Sequence, residues 1–291
     1  MNLPTKFYVI LAALIIAVLL FDLQVFLSIK QQKLEMAITP ETYINHPKIG
    51  FVKLLTWSQP PQRVLGAETY QIESTRIPVK ESYVVAAIGD SMVETMGDSL
   101  DYLRAELRLK YPATGFAFYN YGIGSENIEE ALFRFDKPFD RGNRHHVSIS
   151  DLHPDIIIVG SWAYNPLFPH NPGKYSAKFS EMISKVKATG AKVYVLSEIA
   201  PLSEGFGEGP GGVNWPNEIV KPHEERIIEG LQMAAILGKN MGVEIVDAFD
   251  KSKASGNFGR SDLVSSHDGI HPSILGEKFM ASLIASAINL Y

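Results

Sequence analysis

YVVAAIGDSM, residues 83–92, is a short apolar run that stops at Gly89-Asp90-Ser91. Six apolar residues closed by a turn read as a strand buried on both faces, because a helix of that length would not sustain itself. Ser99–Leu109 follows with helical spacing, and the alternation then repeats to the end of the chain. Further strands are predicted at Phe116–Tyr121, Asp155–Val159, Lys192–Leu196 and Val243–Val246. Helices are predicted over Glu126–Phe135, Ser176–Ala188, about His223 to Met241, and Ser273–Leu290. Strands alternating with helices imply an α/β domain over residues 81–291, built on a mostly parallel five-stranded sheet. Such sheets bind ligands at the carboxyl ends of their strands, so the loops that follow the strands are where chemistry is sought.

Outward from that domain lie two other regions. Residues 31–80 read as a polar juxtamembrane segment with irregular or short β structure, since Pro40, Pro47, Pro60 and Pro61 interrupt helices. Residues 1–30 hold the unbroken apolar run Phe7–Phe21, and apolar character continues to Ile29. At about 1.5 Å per residue, Phe7–Ile29 is long enough to cross a hydrocarbon core of roughly 30 Å. An uncleaved N-terminal transmembrane helix is therefore expected, with the remainder of the chain outside the cytoplasm. A cleaved signal peptide is the other reading, although no small-x-small site follows the run.

Composition narrows the function. The chain has 291 residues, 46% hydrophobic and 20% charged, which excludes a mainly disordered chain. With 27 basic against 32 acidic residues, no basic field invites nucleic acid. The absence of cysteine removes disulfides, thiolate catalysis and Cys-bound metals. His145, His146, Asp151 and His153 are read as a solvated polar loop, and no metal is expected there.

Four blocks sit where chemistry is expected. Gly89-Asp90-Ser91-Met92 follows the first strand and Asn120-Tyr121-Gly122-Ile123-Gly124-Ser125 the second. Gly160-Ser161-Trp162-Ala163-Tyr164-Asn165-Pro166 follows the third. Asp268-Gly269-Ile270-His271-Pro272 precedes the last helix. A carboxylate three residues before a histidine can hold the imidazole in one tautomer, leaving the other ring nitrogen to accept a proton. Each block taken alone also fits a helix cap or an ordinary turn.

In this order the blocks resemble the SGNH (GDSL-type) hydrolases over about Tyr83 to Ala287. The resemblance implies a single three-layer α/β/α domain of flavodoxin-like type. It implies Ser91 as nucleophile, His271 as general base and then acid, and Asp268 as the group orienting His271. The backbone N–H groups of Ser91 and Gly122 and the Asn165 side chain would form an oxyanion hole, and no cofactor is required. Asp90 is read as a turn or backbone partner. Trp162 and Tyr164 are expected to line the pocket, and Trp215 to contact it from a glycine-rich flap, Gly205–Gly212 with its continuation to Pro216. The expected activity is hydrolysis of an ester, an acetyl or short acyl group on a carbohydrate or lipid, through an acyl-enzyme. The same residues would serve an O-acetyltransferase in which a sugar hydroxyl replaces water. A non-catalytic domain that keeps the fold and binds a glycan or partner is the reading from another class.

Overall fold

The computed structural model describes residue 77 and residues 79–290. The transmembrane helix expected over Phe7–Ile29 and nearly all of the 31–80 segment lie outside the described residues. Among the described residues, no helix is long and apolar enough to cross a membrane.

Five strands form the central sheet: β1 (Ser82–Ile88), β2 (Gly115–Asn120), β5 (Ile156–Val159), β6 (Lys192–Ser197) and β7 (Glu244–Asp247). Their order is β2-β1-β5-β6-β7, and every neighbouring pair is parallel. The inner strands β1, β5 and β6 are largely apolar because both faces are covered, whereas the edge strands β2 and β7 are only partly buried. Tyr83, Val85 and Ala87 of β1 join one core with Leu103, Leu107, Met280 and Ile284, while Ala86 and Ile88 join a second with Ile128, Phe179 and Ile183. β5 and β6 divide in the same alternating way, as the two-residue period of a strand requires. Helices α2 (Asp101–Lys110) and α8 (Ile274–Ala287) cover the first face. Helices α3 (Ile128–Arg134) and α5 (Pro172–Ala188) cover the second. The result is three layers, α/β/α.

The chain leaves β1 in one direction to build β2 and in the other to build β5, so the strand order reverses between β1 and β5. That reversal opens the crevice in which such sheets hold ligands. Two glycines allow the two strand ends to stay close there. A Cβ on Gly160 would lie 3.2 Å from the Cα of Gly89, and one on Gly89 would lie 2.4 Å from Val93 Cγ2.

Other elements depart from the pattern read in the sequence. Residues expected to form a polar loop make an antiparallel hairpin, β3 (Phe139–Arg141) with β4 (Arg144–His146), followed by the short helix α4 (Ile149–Leu152). Helix α6 runs Asn217–Asn240 and so begins six residues earlier than expected. Pro222 lies within it, near its start, and costs one hydrogen bond without ending the helix.

Candidate active site

The turn before α8 is fixed by the backbone on either side. Ser265 N–H donates to His271 C=O at 2.8 Å, Gly269 N–H to Ser265 C=O at 2.8 Å, and Ser273 N–H to Leu263 C=O at 2.9 Å. Within this frame Asp268 Oδ1 accepts from the backbone N–H groups of Ile270 and His271 at 2.8 and 2.9 Å. Asp268 Oδ2 lies 2.9 Å from His271 Nδ1. Burial alone would raise the Asp268 pKa, but these hydrogen bonds outweigh it and hold the carboxyl below its ordinary value. The imidazole therefore has one nitrogen committed to a carboxylate, and its Nε2 remains for other work.

Ser91 opens the single-turn helix α1 (Ser91–Glu94) directly after β1. Asp90 is its N-cap, fully buried, with Oδ1 accepting from Met92 N–H at 3.0 Å. Asn165 Nδ2 donates to Asp90 Oδ2 at 3.0 Å, which brings the end of the loop after β5 to the start of α1. Asp90 is thus structural, as its place beside Ser91 implies. Among the described residues, Ser91 N–H has no hydrogen-bond acceptor.

The glycine block is arranged differently from expectation. Gly122 N–H is already bound to Asn120 Oδ1 at 2.7 Å, and Gly122 does not line the cavity. Its role is close approach: a Cβ at this position would lie 2.4 Å from Glu94 N. The members of this loop that reach the cavity are Gly124 and Ser125. Ser125 is exposed, adopts a left-handed backbone with φ of 62°, and its N–H has no acceptor among the described residues. The free backbone donor of this block is therefore Ser125.

Ser91, Asn165 and His271 line one open cavity of about 610 Å³. No hydrogen bond joins the Ser91 hydroxyl to the imidazole. Polar groups reach this cavity from Glu94, Thr95 and Asn127, and apolar ones from Phe206, Val213 and Trp215 of the glycine-rich loop. Tyr164 lines it, with its hydroxyl donating to Ile199 C=O at 2.9 Å. Trp215 also lines it, its ring edge-on to His223 at 5.4 Å between centroids. Trp162 does not. It is fully buried, with φ of 55°, and packs against Phe179 beneath the sheet.

The polar loop histidines are also placed. His146 lies 5.6 Å from the Phe139 ring in a stacked arrangement, and His145 pairs with Asp140 at 2.8 Å. Among the described residues, no group of three or more His, Asp or Glu side chains is arranged to hold a metal ion.

Sequence reading missed Glu198, which is fully buried at the carboxyl end of β6. Its carboxyl accepts from Ser161 N–H at 2.8 Å and also meets the Ser161 hydroxyl. Burial and the neighbouring Asp90 carboxylate push its pKa up. A charged residue immediately after an apolar strand, at the sheet end already marked for chemistry, was the signal. Glu94 and Arg144, which act on the glycine block, carried no comparable signal.

A family model for GDSL-like lipases and acylhydrolases matches residues 85–284. Among solved structures, the chain is similar to a GDSL-like lipase from Bacteroides thetaiotaomicron, with 19% identity and a TM-score of 0.52 over 75% of this chain and 93% of that one. It is also similar to a catalytic mutant of an acetylxylan esterase from Geobacillus stearothermophilus, with 13% identity and a TM-score of 0.51 over 72% of this chain and 95% of that one. At these identities the likeness is one of fold. A comparison with curated protein sequences gave no match.

Proposed function

Because the chain belongs to the GDSL-like lipase/acylhydrolase family, we propose that it is a serine esterase working through Ser91, His271 and Asp268. The observation that carries this reading is the shared cavity, with Ser91 and His271 both lining it and Asp268 2.9 Å behind the imidazole. In the proposed reaction, Ser91 Oγ attacks the ester carbonyl as His271 Nε2 takes its proton. The oxyanion accepts hydrogen bonds from Ser91 N–H, Ser125 N–H and the Asn165 amide. Collapse expels the alcohol, which leaves with the proton returned by His271. Water then attacks the acyl-Ser91 ester with the same base, releasing the acid and restoring the hydroxyl. Substrate binding would bring the hydroxyl and imidazole into hydrogen-bond contact, since such bonds are often loose in an empty site.

The mixed lining supports an ester of an acetyl or other short acyl group with a carbohydrate or lipid alcohol. Apolar side chains of the glycine-rich loop would take the acyl group, and the Thr95 and Asn127 side the polar alcohol. Phe7–Ile29 is proposed to anchor the enzyme in a membrane, with this domain outside the cytoplasm. Retention of the chain in membranes washed with alkaline carbonate supports that placement, and release contradicts it. The esterase reading is tested by comparing the chain with Ser91→Ala on a short-chain aryl ester. A fall in turnover of about 10³-fold or more is expected, and retained turnover rejects the assignment.

A further inference from the structure

Three residues after Ser91, the Glu94 carboxylate joins parts of the fold that lie far apart in sequence. Its Oε2 accepts from Gly124 N–H at 2.6 Å. Its Oε1 accepts from Arg144 at 2.6 Å and from Arg141 Nε at 3.0 Å, both carried by the β3–β4 hairpin. Arg144 is buried and also donates to the backbone carbonyls of Gly122 at 2.9 Å and Asn120 at 3.2 Å.

We propose that Glu94, braced by Arg144 and Arg141, is a positioning residue that aims Ser125 N–H at the carbonyl attacked by Ser91. The inference rests on the esterase reading above and adds to it a reason for the hairpin.

The hydrogen bonds of the glycine block leave little choice. Gly122 N–H goes to Asn120 Oδ1, Ile123 N–H to Gly89 C=O at 3.0 Å, and Gly124 N–H to Glu94. Glu126 N–H returns to Ile123 C=O at 3.4 Å. The peptide between Gly124 and Ser125 is held from both sides, and Ser125 N–H is the donor left over. Charge favours the same role. A bare carboxylate beside a developing oxyanion would oppose it, whereas Glu94 is compensated by two guanidinium groups. Burial pushes the Glu94 pKa up, but its hydrogen bonds and the arginine charges outweigh this and keep it below its ordinary value. It therefore stays an ionised acceptor for Gly124 N–H.

The test uses the full-length chain and an aryl acetate, with turnover expressed per Ser91 titrated by a fluorophosphonate. Glu94→Ala is expected to lower kcat about 10- to 100-fold, with KM within about twofold. Glu94→Gln, which keeps an oxygen for Gly124 N–H, is expected to recover kcat to within about fivefold. A merely structural role would reduce the titrated fraction and the melting temperature while leaving kcat per site unchanged. That result, or a change confined to KM, overturns the proposal. Ser91→Ala run alongside separates the two failures. Hydrolysis that survives Ser91→Ala overturns the esterase reading, whereas Ser91-dependent hydrolysis indifferent to Glu94→Ala overturns only the positioning role.

Discussion

Asn165 Nδ2 and Asp90 Oδ2 are 3.0 Å apart, and this bond ties the loop after β5 to the cap of the helix that begins with Ser91. An amide has two N–H groups, so one remains for the cavity that Asn165 also lines. The bond explains how an asparagine five positions beyond Gly160 still arrives beside Ser91. Asn165→Ala is expected to lower kcat about 10²-fold with little change in KM, the loss of one oxyanion donor. Asn165→Asp sets a second carboxylate against buried Asp90 and is expected to lower the melting temperature as well. Steady-state kinetics with thermal melts on both variants check this.

Asp268 divides its two oxygens between the turn and the imidazole. Asp268→Asn keeps an acceptor for the Ile270 and His271 N–H groups but replaces the charge behind the ring. A fall in kcat of roughly 10³-fold or more is expected, with melting temperature near wild type at neutral pH. The acid response should differ too. A carboxyl whose folded pKa is depressed contributes stability above its ordinary value of 3.8, and that contribution is lost as pH falls through the folded value. Melts taken between about pH 5 and pH 2 should therefore fall less steeply for Asp268→Asn than for wild type.

Gly122 tests the packing of the site rather than its chemistry. An added methyl would sit 2.4 Å from Glu94 N, against backbone that cannot rotate away. Gly122→Ala is expected to cost about 1–3 kcal/mol, the usual range for overpacking, and to shift α1 with its serine. Chemical denaturation and the rate of fluorophosphonate labelling measure the two effects. Unchanged values in both would contradict the close approach.

Glu198 should reveal itself through alkaline stability. Its folded pKa is raised by burial and by Asp90, so its contribution is complete below its ordinary value of 4.5 and is lost as pH rises through the folded value. Glu198→Gln, of similar shape and without a charge to form, should lose less melting temperature than wild type from about pH 5 to about pH 8. Equal slopes would mean that the buried carboxyl does not carry this cost.

The inner strands of the sheet were readable because they are largely buried and so appear as apolar runs. DIIIV at 155–159 needs no long-range knowledge to be recognised. The β3–β4 hairpin was not readable for the opposite reason. Its six strand residues include only one apolar side chain, Phe139, and contacts distant in sequence hold it: Arg144 to Glu94, and the Phe139 and His146 rings against Tyr121. Ser91 and Asp90 stood out at a strand end, and Asp268 and His271 just before the last helix, because their residue types announce chemistry. The glycine block misled at one point, since backbone direction decides which N–H is free. Gly122 is tied to Asn120, while Ser125, with its positive φ, presents the unused donor. Trp162 misled likewise, because its left-handed backbone accompanies a ring packed under the sheet instead of in the cavity.

An activated serine reports itself most directly by covalent capture. The full-length chain is treated with a fluorophosphonate, its intact mass is measured, and the adduct is located by peptide mapping. One adduct per chain, on Ser91, absent from Ser91→Ala and formed far more slowly in His271→Ala, is the outcome expected of this site. An unmodified chain, or an adduct on another residue, would contradict it.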